Sequence, residues 1–272
     1  MTSSVEGPTQ TRRQYISGNW KMHTTAAAAG RLARAVVAGL GTASRACVAV
    51  CPPFPYLALV GELLQGSPVA LGAHNLYPAQ DGAFTGEVSP TMLRDLGCTF
   101  VILGHSERRH ILGETDAFIN HKVRVAAASG LDVILCVGET LAQRAAGQTD
   151  AVLERQLGAG LADLSAETAP RLFSAYEPVW AIGSTGHHAT PQQVQEAHAA
   201  LRYRFGRVFG EEAAQAVVIL YGGSVKPENA DALLRRPGVD GALIGGASLH
   251  ADQFLAIIRA GSGASQTAGA AA

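Results

Sequence analysis

Eight short apolar runs, rich in β-branched residues and separated by helix-like segments, constrain this chain more than any other feature. They are Tyr15–Asn19, Ala46–Pro52, Val69–Asn75, Phe100–His105, Asp132–Val137, Leu172–Glu177, Val217–Tyr221 and Gly241–Ile244. Most are continuously apolar rather than alternating, the pattern of parallel strands covered on both faces. The segments between them carry helix end signals. Ser89-Pro90 and Thr190-Pro191 each set a capping hydroxyl before a proline suited to the first helical turn, and Gly97 supplies a stop. Val194, Ala197, His198 and Leu201 then recur at helical spacing, and Pro227 opens a further segment that ends near Pro237-Gly238. Strand–helix units repeated without a break in composition predict one (β/α)8 barrel over residues 15–260. An open doubly wound sheet would usually carry a G-x-G-x-x-G turn after its first strand, and Gly18-Asn19-Trp20-Lys21 is no such turn. The polar start, 1–14, and the Ala/Gly/Ser-rich end, 261–272, are expected to be disordered tails.

Composition narrows the partners. A formal net charge of −1 gives no general attraction to nucleic acid or to an anionic membrane. No apolar run approaches the ~18 residues of a membrane span, and the start lacks the apolar core of a secretory signal. Cys47, Cys51, Cys98 and Cys136 lie in or beside apolar runs and form no C-x-x-C pair. They read as buried reduced thiols of a cytoplasmic protein.

Barrel enzymes keep their chemistry at the C-terminal ends of the strands. The unusual polar residues gather there: Asn19 and Lys21 after the first run, Asn75 after the third, His105 after the fourth and Glu177 after the sixth. Gly222-Gly223-Ser224 and Gly245-Gly246 close the last two units. Glycines let backbone N–H groups approach an anion, and barrel phosphate sites favour these two loops. Lys21 is one of only three lysines, with Lys122 and Lys226, so an ammonium beside Asn19 reads as aimed at the pocket. His105 precedes Ser106, whose N–H can begin a helix. That position favours a neutral imidazole still able to donate a hydrogen bond. Glu177 would remove a proton from carbon, and His105 and Lys21 would stabilise the resulting enediolate. Glu107 and Arg108 would support the site by hydrogen bonds or ion pairing. No metal site is expected, because His187-His188 are adjacent and lack further ligands at suitable spacing. A Schiff-base aldolase would want a lysine within a strand, and none of the runs contains one.

Seven motifs carry a resemblance. They are Gly18-Asn19-Trp20-Lys21-Met22, Gly82-Ala83-Phe84-Thr85-Gly86-Glu87, Gly104-His105-Ser106-Glu107-Arg108-Arg109, Cys136-Val137-Gly138-Glu139, Ala175 through Gly183, Tyr221-Gly222-Gly223-Ser224-Val225 and Gly245-Gly246-Ala247-Ser248. In this order, from about Tyr15 to Ala260, they resemble the triosephosphate isomerase family. The resemblance implies interconversion of dihydroxyacetone phosphate and D-glyceraldehyde 3-phosphate without a cofactor. It implies Glu177 as the base, His105 as the electrophile, and Lys21 and Asn19 in contact with substrate. Gly183, Ser224, Gly245 and Gly246 would offer backbone donors to the phosphate. Pro178-Val179-Trp180 would be the first hinge of a lid, and Tyr221 would latch it near Ala189. The loop 72–90 would enter a second subunit, where Thr85 supports the neighbour's Asn19, so a homodimer is implied.

The stretch Ala181 to Ala189 departs from the family pattern. It reads one residue longer, with His187-His188 at the second hinge. Related isomerases of four-carbon tetrulose phosphates also have a longer lid, which keeps substrate length open, while Gly245 to Ser248 favours the triose enzyme. A phosphate-binding barrel without catalysis would not need Lys21, His105 and Glu177 together. His23, His74 and Leu112 also stand where the family more often has other residues.

Overall fold

A computed structural model describes residues 13–41, 45–183 and 187–262. Most of both expected tails, and positions 184–186 of the lid, lie outside the described residues. Eight strands follow one another around a closed parallel barrel: β1 (Tyr15–Asn19), β2 (Cys47–Cys51), β3 (Val69–Ala73), β4 (Phe100–Leu103), β5 (Asp132–Val137), β6 (Leu172–Tyr176), β7 (Val218–Tyr221) and β8 (Gly241–Ile244). β8 pairs with β1 in the register Tyr15↔Gly241, which closes the ring. Helices such as Ala26–Leu40, Asp116–Ala128, Thr149–Gly160 and Pro191–Phe209 lie between the strands in sequence, and Ala251–Gly261 follows the last of them. This is the (β/α)8 architecture that the run pattern predicts.

Two apolar layers explain the continuous hydrophobicity of the strands. Inside the barrel, Cys51, Ile102, Ile134, Cys136, Leu220 and Leu243 pack on one another. Outside it, Ile16, Val48, Val101, Val133 and Ile219 pack with helical residues such as Val36, Val123, Leu157 and Leu201. The predicted caps form. Ser89 Oγ accepts the Met92 N–H at 3.2 Å. Thr190 Oγ1 accepts the Gln193 N–H at 3.2 Å, and Gln193 Oε1 accepts the Thr190 N–H at 2.9 Å. His198, read as one position of a helical apolar stripe, is fully buried. Its Nδ1–H donates to the Gly238 carbonyl at 3.0 Å, and Nε2 has no hydrogen-bond partner among the described residues.

Several strands end earlier than the runs suggest. Asn75, His105 and Glu177 all lie beyond their strands. His105 and Glu177 turn their side chains into the mouth, whereas Asn75 does not. Gly104, at φ 69°, makes that turn before His105. The cysteines are free, and Cys51, Cys98 and Cys136 are buried. Cys47 is only half-buried, because it begins β2 at the opposite rim, paired with Tyr15.

The loop between β3 and the helix Pro90–Asp95 is built around its own contacts. Tyr77 N–H donates to Val88 O at 2.8 Å, and the Tyr77 and Phe84 rings lie 4.4 Å apart. Its tip, including Thr85, is exposed.

Candidate active site

Asn19, Lys21, His105, Glu177, Gly183, Ser224, Gly245 and Gly246 come from the ends of five different strands and line one cavity of about 480 Å³. Lys21 reaches it in an unusual backbone conformation, φ 50°. A non-glycine residue there costs on the order of 1 kcal/mol, so its surroundings must hold it. They do so from both sides. The Lys21 N–H donates to Asn19 Oδ1 at 3.0 Å, and the Trp20 N–H donates to Cys51 O at 3.0 Å. The Lys21 ammonium then donates to Glu107 Oε1 at 2.6 Å across the mouth. Burial alone would raise the Glu107 pKa, but the bond from Lys21 and the nearby His105 outweigh it and leave it below the ordinary carboxylate value. Arg108 does not join this pair; its Nε donates to Glu114 at 2.6 Å.

The backbone N–H of Glu107 donates to His105 Nδ1 at 3.2 Å. A ring nitrogen that accepts an N–H carries no proton, so the imidazole holds its proton on Nε2. That atom lies 3.2 Å from Glu177 Oε1, yet Oε1 has no aligned hydrogen bond. Glu177 Oε2 accepts the Ser106 N–H at 2.8 Å. Glu177 is 2% exposed. Glycine at 222 is required beside it, since a Cβ there would lie 2.7 Å from Glu177 Cγ. The site therefore sets a dry carboxylate, a neutral N–H donor and an ammonium around one chamber, a set suited to moving a proton while charge builds on a neighbouring oxygen.

The glycine loops form the other wall. Gly246 opens the short turn Gly246–Leu249, and nothing lies within 4 Å of where its Cβ would be. The buried Ser248 hydroxyl donates to Gly245 O at 2.7 Å and fixes the loop from below. Ser224 differs from expectation in one respect. Its N–H donates to Ala181 O at 2.9 Å, so it can serve an anion only when Ala181 moves away.

The motif Cys136 to Glu139 carried no role in the sequence reading, and the structure supplies one. Glu139 is 0% exposed. Its carboxylate accepts Tyr176 OH at 3.1 Å, Trp180 Nε1 at 2.9 Å and Arg144 Nη1 at 3.1 Å. Its backbone carbonyl accepts the Val179 N–H at 3.0 Å, and the Arg144 guanidinium lies 4.6 Å from the Trp180 ring centroid. The segment expected to hinge is thus clamped by one buried carboxylate. Tyr221 is buried, and its hydroxyl makes no hydrogen bond to Ala189 among the described residues. Asn75 does not face the cavity; its Oδ1 accepts from Lys122 Nζ at 2.8 Å, and Lys122 also pairs with Glu114. Lys226, His250 and Gln253 line the mouth and were given no role, because exposed polar side chains leave no trace in an apolar pattern; His23, named only as a departure from the family pattern, lines it too.

Among the described residues no helix is long and apolar enough to cross a membrane. The sequence model of the triosephosphate isomerase family matches residues 14–261. A triosephosphate isomerase of Roseiflexus sp. (strain RS-1) is 52% identical over 247 residues, 91% of this chain and 97% of the relative. The protein of that name from Chloroflexus aurantiacus is 53% identical over 243 residues, covering 89% and 97%. That from Carboxydothermus hydrogenoformans is 52% identical over 248 residues, covering 91% and 98%. The match to the family model spans all eight strands and the residues that line the chamber, and the chain belongs to the triosephosphate isomerase family.

Proposed function

We propose that this chamber interconverts dihydroxyacetone phosphate and D-glyceraldehyde 3-phosphate with Glu177 as the base. The observation that carries this reading is the meeting of the Glu177 carboxylate with the His105 Nε2–H at 3.2 Å, in the cavity that also holds Lys21. Glu177 takes a proton from C1 and returns it to C2. The His105 Nε2–H donates to the substrate oxygen as negative charge develops, and the Lys21 ammonium and Asn19 stabilise the same charge. Gly183, Gly245, Gly246 and Ser224 hold the phosphate. No cofactor enters these steps.

Glu177 must give up the Ser106 N–H to swing toward the carbon. Closure of the lid over the enediolate keeps out water and guards against elimination of phosphate. The same reading includes one catalytic domain over 15–260. It also includes a cytoplasmic setting in sugar-phosphate breakdown and synthesis, supported by four free cysteines.

The reading extends to a homodimer through the loop 72–90. Met22, Phe84, Ile111 and Leu112 are 94%, 43%, 77% and 62% exposed, an apolar load that a second copy would cover. Thr85 at the loop tip would then reach the neighbouring Asn19. Steady-state rates on D-glyceraldehyde 3-phosphate, measured beside a four-carbon ketose phosphate, test the assignment. Turnover of the triose should dominate. Preference for the four-carbon substrate would overturn the triose reading, and absence of turnover on both would leave only an anion-binding barrel.

A further inference from the structure

His74 lies just beyond β3, and nothing in the sequence gives it a task. Its surroundings do. His74 Nε2 lies 2.6 Å from the Cys51 carbonyl oxygen. A carbonyl only accepts, so Nε2 carries a proton and donates. The same oxygen accepts the Trp20 N–H at 3.0 Å. One carbonyl at the end of β2 therefore joins the segment after β3 to the segment after β1.

The residue after Trp20 is Lys21, whose φ of 50° persists only while its neighbours hold it. Trp20 is itself 0% exposed, so any shift of its amide passes directly to Lys21. Burial lowers the His74 pKa to about 4, so near neutral pH the ring is uncharged and acts through its hydrogen bond alone.

We infer that His74 is a positioning residue for Lys21, acting through the Cys51 carbonyl on the lysine backbone. The inference rests on Lys21 meeting the substrate's negative charge. It requires a hydrogen-bond donor at position 74 and does not require an imidazole.

Three substitutions separate these roles. His74→Phe keeps a flat ring without the donor, His74→Leu removes both, and His74→Gln restores a donor. For His74→Phe and His74→Leu, the dissociation constant of inorganic phosphate and KM should each rise about tenfold, the net worth of one hydrogen bond. Turnover at saturation should stay within about threefold. His74→Gln should return all three constants to within about twofold of the parent. Placed on Lys21→Ala, His74→Phe should add nothing further, because contacts that act through one group are not additive.

Parent-like constants in His74→Phe would overturn the inference, as would additive losses on Lys21→Ala. A Gln variant no better than the Phe variant would do the same. If the Phe and Leu chains fail to fold while the Gln chain folds, His74 serves the fold and not the lysine. Lys21→Ala alone reports on the underlying reading: unchanged phosphate affinity there would remove Lys21 from the anion whatever His74 does.

Discussion

A single methyl group at position 222 should cripple the site without unfolding the barrel. A Cβ on Gly222 would lie 2.7 Å from Glu177 Cγ and 3.3 Å from Tyr176 O. Carbon atoms pack at about 3.5–4.0 Å, so Gly222→Ala must push the Glu177 side chain by roughly 1 Å. The backbone cannot yield instead. Gly222 N–H donates to Tyr176 O at 2.8 Å, and Glu177 N–H donates to Val137 O at 2.8 Å. A misplacement of about 1 Å costs on the order of 10²-fold in rate, so turnover should fall by about that factor. The phosphate wall at Gly245 and Gly246 is untouched, and inhibition by inorganic phosphate should change by less than about twofold. Crowding of this kind costs about 1–3 kcal/mol of stability, which a barrel of this size survives. The assay is steady-state turnover of D-glyceraldehyde 3-phosphate, run beside thermal melting and phosphate inhibition. A variant that melts like the parent and turns over within about threefold of it would refute the placement of Glu177 as base. Equal loss of phosphate binding and turnover would mean that the whole mouth had deformed.

Other substitutions test the remaining roles. Glu177→Asp draws the carboxylate back by one methylene and should lower kcat by at least about 10²-fold with KM changed only a few-fold; unchanged turnover would exclude Glu177 as base. Lys21→Ala should weaken inorganic phosphate inhibition and turnover together, and intact inhibition would show that the ammonium does not meet the anion. Acid should destabilise the fold through His198. Burial lowers its pKa from 6.5 to about 4, so the unfolded chain takes up that proton first as pH falls. The folded state then loses stability between pH 6.5 and about 4, by 2.5 × 1.36, or about 3 kcal/mol. His74 is shifted over the same window, so His198→Phe should make the fall in urea-measured stability shallower without abolishing it, and a slope equal to the parent's would refute the assignment.

The barrel was legible because its strands have no solvent-facing side. Val101 and Ile102 point to opposite layers, and both are buried. A run of this kind tells a reader that both faces are covered, and eight of them in series with capped helices leave few topologies. The rim was less legible. Asn75, His105 and Glu177 were read as strand ends but lie in the turns beyond, because polarity marks where a ladder stops only to within a residue or two. Asn75 shared its position type with Glu177 but turned toward Lys122. Strand period tells which residues reach the rim, and packing outside the barrel decides which of those face in.

What stayed illegible is carried by backbone groups and by side chains acting at one remove. Glu139 stood in a recognised motif, yet only the fold brings Tyr176, Arg144 and Trp180 to its buried carboxylate. A buried charge of this kind is stable only while its donors remain, so it defines one well-held position for the hinge. The hinge is in turn bonded to the phosphate wall, through Ala181 O and the Ser224 N–H at 2.9 Å. An anion that recruits the Ser224 amide must displace Ala181, and a displaced Ala181 pulls on Trp180, the residue before it. In the proposed reaction, capture of the phosphate by the Ser224 amide and release of the hinge from Glu139 are therefore linked through Ala181. That connection gives the phosphate, remote from the carbon that reacts, a physical means of bringing the lid down over Glu177.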